Sequence, residues 1–258
     1  MSKHLCLFVA MTILAAGALL IQPGRSAAGE LSRNETFEMQ FRLNQLKLDA
    51  GAPDGIAGSR TRRAIDAATA RFGLPNASPD KLLAKLREET DEIEGIARSG
   101  GQIDLLVFTD EGTPLILTVM SFGRLHSSGS TKVVRDRDRD GTSIFTNSGG
   151  NHLMEEIDVV PLGPGASFGY KVHVPPPPRG ERLQIDHVTV RPSLPGEAPG
   201  THTSRYEHIY MKRSSNPRYW WWRFSDDVSK NPEGIWSMAL ENRSRRLISR
   251  SIAAEMPR

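Results

Sequence analysis

The sequence holds a single cysteine, Cys6. One thiol cannot form an intramolecular disulfide, a four-cysteine zinc site or a thiol redox pair, so those chemistries are excluded. Other signatures are missing as well. There is no H-E-x-x-H pair, no Walker loop, no dinucleotide-binding glycine run and no Gly-x-Ser-x-Gly elbow. His187 follows Asp186, and His202 stands six before His208 with Glu207 adjacent, but these spacings do not build a zinc peptidase site. A transpeptidase using a cysteine nucleophile would find none after residue 28. A lysozyme-like carboxylate pair is defined in space and not along the chain, so it stays open as an alternative, an uncharacterised wall hydrolase.

Net charge is also scarce. The 258 residues carry 33 basic and 30 acidic side chains. Residues 1–28 take Lys3 and Arg25 with them if removed, leaving a near-neutral chain. That balance offers no footprint for DNA or RNA, and nucleic acid is not expected as a partner.

What is present begins with the leader. Lys3 precedes an apolar run over residues 5–21, which Pro23 and Gly24 end before small residues Ser26, Ala27, Ala28 and Gly29. A spanning helix needs about 20 apolar residues, so residues 1–28 read as a secretory signal peptide and the expected location is the periplasm. Cys6 lies at the front of the run, where it cannot serve as a lipoprotein cysteine. Membrane contact is expected only if the leader persists.

Two regions of different period follow. In residues 31–93, Phe37, Phe41, Leu43, Leu46 and Leu48 recur at helical spacing, as do Ala64, Ile65, Ala68 and Phe72, then Leu82, Leu83 and Leu86. Glycines and Pro53 punctuate residues 52–58; Ser59 is placed to cap the second helix, Gly73 and Pro75 to end it, and Ser78-Pro79 to start a third. A small three-helix bundle is expected, then a flexible linker over residues 94–101.

From residue 102 to 256 the apolar runs shorten to strand length: 103–108, 115–120, 167–174, 183–191, 206–211 and 219–224, separated by Gly- and Pro-rich turns. Alternation of Phe168, Tyr170, Val172 and Val174 with polar neighbours implies a half-solvated antiparallel sheet. Residues 175–178 are all proline and read as a turn. The fold class is therefore α+β and multidomain, a helical bundle followed by an all-β sandwich.

Two segments resemble known families. Asp54-Gly55-Ile56-Ala57-Gly58-Ser59-Arg60-Thr61-Arg62-Arg63-Ala64-Ile65 is similar to the Asp-Gly-x-x-Gly loop and following Thr-bearing helix of the three-helix peptidoglycan-binding domain. That resemblance implies peptidoglycan as partner and Asp54, Gly55, Gly58, Thr61 and Arg62 as binding residues; where the family follows its Ala-Ile pair with Phe-Gln, this chain has Ala68-Thr69. Residues 103–255, through Glu156-Ile157-Asp158-Val159-Val160-Pro161 and Gly234-Ile235-Trp236, resemble a proteobacterial envelope domain of unassigned function. It implies an immunoglobulin-like sandwich and no reaction.

Two further groups are candidates. Asp136, Asp138 and Asp140 before Gly141 have the spacing of a calcium loop, although the twelfth position is Asn147 in place of Glu, and alternating charge also makes a solvated hairpin. In Tyr219-Trp220-Trp221-Trp222-Arg223-Phe224, alternation sends Trp220, Trp222 and Phe224 to one face and Tyr219 and Trp221 to the other. The first face is core. Tyr219 and Trp221 are candidates for stacking on glycan rings, or for a second buried layer. The expected role is a non-enzymatic wall-bound protein presenting its β-domain to another envelope component; the remaining alternative is a structural two-domain protein that binds no glycan.

Overall fold

The computed structural model describes residues 31–128, 151–163, 165–193, 196–210, 218–224, 227 and 231–256. The expected leader and the calcium candidates Asp136, Asp138 and Asp140 lie outside them. Among the described residues no helix is long and apolar enough to cross a membrane.

Three helices come first. In α1 (Arg33–Gln45) Ser32 and Glu35 close a reciprocal capping box, the Ser32 amide donating to Glu35 Oε2 at 2.8 Å. Helix α2 (Ser59–Arg71) differs from expectation at its start, because Gly58 and not Ser59 is the cap, and glycine brings no side-chain acceptor. Its end is as expected: Phe72 caps it and Gly73 turns out at φ 62°. Helix α3 (Pro79–Thr90) starts from Ser78 with proline in its first turn. Met39, Leu43, Ala64, Ala68, Leu82, Leu83 and Leu86 form a core shared by all three.

The rest is mostly β. The strands are β1 (Ile96–Ala97), β2 (Ile103–Phe108), β3 (Pro114–Ser128), β4 (Asn151–Glu155), β5 (Val159–Pro161), β6 (Ser167–His173), β7 (Leu183–Pro192), β8 (Thr201–Tyr210), β9 (Arg218–Arg223), β10 (Gly234–Asn242) and β11 (Arg245–Glu255). One sheet runs β1-β2-β3-β6-β9 with β4 also on β3; the other runs β5-β11-β10-β7-β8. All pairs are antiparallel except β5 with β11. The inward faces make a β-sandwich core in which Phe168, Tyr170, Trp222, Phe224 and Trp236 pack with Met238, Leu240 and Ile252. Phe224 meets Trp236 edge-on at 5.0 Å, and the buried Tyr170 hydroxyl donates to the Met238 carbonyl at 2.8 Å.

Residues 94–101, expected as a flexible linker, are tied down instead. Ile96 and Ala97 pair with Asp104 and Ile103 of β2, Ser99–Gly101 form a 3-10 turn, and Glu94 binds Arg250 at 2.6 Å. Gly95, at φ 43°, passes so close to β2 that a Cβ there would strike the Asp104 carbonyl. Leu31–Arg258 is accordingly one compact unit.

Candidate functional site

The loop between α1 and α2 is organised by one side chain. Gln40, almost fully buried on α1, accepts from the backbone amides of Asp54 and Gly55 at 3.0 and 2.9 Å. Its amide nitrogen lies 3.0 Å from Asp54 Oδ1, the Ile56 carbonyl and Thr61 Oγ1 alike. One turn further along α1, Asn44 grips the other arm, donating to the Gly51 carbonyl and accepting from the Ala50 amide. A Gln and an Asn at i and i+4 on one helix face thus fix a loop otherwise lacking secondary structure. Gly55 completes the turn at φ 76°, where a Cβ would strike Arg33.

Thr61 belongs to this scaffold and not to a binding surface. It is 2% exposed, and its hydroxyl donates to the Ala50 carbonyl at 3.0 Å while accepting from Gln40. The expected contact of Thr61 with wall polymer is corrected accordingly. Asp54 is exposed, but its carboxylate is occupied locally by Gln40 and the Ile56 amide, and these hydrogen bonds hold its pKa below the usual carboxylate value. Gly58 and Arg62 remain at the surface, with Arg62 Nη1 donating to the Ala57 carbonyl at 2.7 Å. Ile56 stands at the loop tip, 62% exposed.

Arginines crowd the start of α2 on the exposed side, with the carboxylates of Asp49 and Asp54 nearby. The first turn of α2 has no acidic residue and no side-chain cap, and the exposed Arg60, Arg62 and Arg63 follow directly. Arg60 pairs with Asp49 across the loop. The arrangement presents a fixed apolar tip beside a positive helix end, a combination suited to a carboxylate attached to an apolar group.

Replacing Gln40 by leucine is expected to cost about 2 kcal/mol, because the buried Thr61 hydroxyl and two loop amides lose their partner. Urea unfolding would measure that cost. Hydrogen exchange at the amides of Asp54 and Gly55 would report the released loop, and unchanged protection there would show that Gln40 does not organise it.

The aromatic candidates are also revised. Trp221 is 6% exposed and packs with Leu125, Met154 and Tyr219, a second buried layer on the outer side of the first sheet. The row across that sheet is Gly123, Gly169 and Trp221, and a Cβ on Gly169 would strike the Trp220 carbonyl and Trp221 itself. Trp221 therefore has no free face for a sugar ring. Tyr219 is half-buried, its ring near Trp221 and under Lys171 Nζ at 5.9 Å. Among the described residues no three His, Cys, Asp or Glu side chains gather as a metal site.

No family model matches the chain. It is similar to the fused isobutyryl-CoA mutase of Nocardia farcinica, 31% identical over 155 residues that cover 52% of this chain. The chain spans 14% of that protein's length. Among solved structures it is similar to an immunoglobulin-like protein from Pseudomonas aeruginosa at 15% identity and a TM-score of 0.31, covering 51% of this chain and 96% of the other.

Proposed function

We propose that this is an exported, non-enzymatic envelope protein whose helices form a small bundle that docks on peptidoglycan through residues 52–62, and whose sandwich, read as immunoglobulin-like, meets another envelope component. The observation that carries the reading is the exposed, hydrogen-bonded loop that leads into a helix start with no side-chain cap, followed by Arg60, which pairs with Asp49, and by Arg62 and Arg63. Stem peptides of the wall carry carboxylates, and an open helix N-terminus favours an anion.

Gly58 supplies a test. It lies at φ −74° with open space around it, so a side chain fits there without strain. Gly58→Asp caps α2 and is expected to stabilise the chain by about 0.5–1 kcal/mol. The same carboxylate fills the anion position, so retention on purified sacculi falls. A variant with a raised melting temperature and undiminished retention removes the proposed wall site. The burial of Thr61 favours a second reading, in which the loop only builds the helix junction and the protein is structural. That reading predicts no retention of the unmodified chain at all.

A further inference from the structure

A cleft of about 360 Å³ opens where α1 and α3 meet the hairpins β2–β3 and β10–β11. Its wall carries four guanidinium groups, Arg42, Arg87, Arg243 and Arg245, against three carboxylates, Glu35, Glu38 and Asp91. The acids are largely committed. Glu35 closes the cap with Ser32, and Glu38 takes Arg42 at 2.7 Å and Arg87 at 2.7 and 2.9 Å. Asp91 takes Arg42 at 3.1 Å and reaches Arg245 only at 3.4 Å.

Two arginines keep donors to spare, although Arg245 Nη2 also reaches the Asp91 backbone carbonyl at 3.4 Å. Arg245 keeps its Nε–H buried with no hydrogen-bond partner, and burial together with the nearby Arg42 charge lowers its pKa. Arg243 is exposed and makes no ion pair among the described residues. Its position is also conformationally costly. Arg243 and Ser244 form the two-residue loop between β10 and β11 with φ 52° and 64°, a turn that favours Asn-Gly and penalises an arginine. Strained backbone of this kind clusters at ligand clamps and switch regions. Phe108 and Pro114 supply an apolar floor, and Gly112 lies beside the Arg243 guanidinium.

We propose that this cleft binds an oxyanion, a carboxylate or phosphate ester borne by a small molecule or chain end, with Arg243 and Arg245 as the groups that hold it. The volume is at the small end of ligand pockets, which run about 300–1000 Å³. Guanidinium forks match both oxyanions by paired N–H donation. The inference is independent of wall binding at the 52–62 loop.

The test is a titration of the purified chain with inorganic phosphate and, separately, with succinate, against chloride at matched ionic strength, reading the Nε–H NMR signals of Arg243 and Arg245. Saturable shifts are expected with at least one anion and not with chloride, and the responding anion identifies phosphate or carboxylate as the source. Arg243→Asn suits the turn better, so its melting temperature is expected to rise while the anion midpoint weakens at least tenfold. Shifts no larger than those with chloride, or a midpoint unchanged in R243N, overturn the proposal. Sacculus retention that persists in R243N leaves the wall reading intact, so the two can fail separately.

Discussion

Replacing Glu38 by alanine is expected to destabilise the chain by about 3–5 kcal/mol, the cost of leaving a buried cation without its counter-charge. Glu38 is 4% exposed and is gripped by Arg42, itself buried, and by Arg87 from α3. Burial is the largest influence on its carboxyl and works to raise the pKa, yet the hydrogen bonds and charges of Arg87 and Arg42 outweigh it and hold it below the usual value. Without Glu38, Arg42 retains Thr90 and the half-exposed Asp91 but not its nearest carboxylate. The loss measures a stranded charge and not the worth of the pair, since apolar side chains of equal volume throughout could be as stable. Glu38→Gln, which keeps shape and one acceptor, should cost less. Urea midpoints would decide the matter, and a loss under 1 kcal/mol for E38A would refute the burial argument.

Acidification should produce the second large effect. His187 on β7 is buried and His208 on the edge strand β8 is half-buried, their rings 6.2 Å apart, and His208 stacks at 4.9 Å on Trp220 of the opposite sheet. Desolvation pushes His187 down to about 3, helped by its neighbour His208. His208 falls to about 4, also by desolvation, with Asp186 partly opposing. An imidazole whose folded pKa lies below its unfolded 6.5 binds protons preferentially when unfolded, so stability is full above pH 6.5 and falls below it. At pH 5 each costs on the order of 2 kcal/mol, roughly 4 kcal/mol for the pair. Glu38 acts in a separate window. Its lowered pKa makes its contribution disappear only as pH falls below about 4.5. His208→Phe keeps an aromatic ring on Trp220 and should remove about half the change in urea midpoint between pH 7.5 and 5. An identical change in H208F would show that His208 does not carry it.

Parts of this architecture are readable from residue order alone, and the reason is local. Trp220, Trp222 and Phe224 face the core because strand side chains alternate whatever the neighbours are. Ser78-Pro79 and Gly73 mark helix ends through their own backbone restrictions. The expected run at residues 206–211 catches only the second half of β8, since Thr201 to Arg205 are polar and lie along a sheet edge. Gln40 escapes notice because a glutamine in a helix usually faces water, while its partners sit 14 to 21 residues away. The Arg243-Ser244 turn has none of the residues that announce such turns. Residues 94–101 look loose by composition; the unpaired edge of β2 decides otherwise.

That last feature sets the mechanics of the molecule. With β1 stitched to β2 and Glu94 clasping Arg250, no slack cord runs between the helices and the sandwich. A load on the α1–α2 loop would therefore reach the strands through this paired connection.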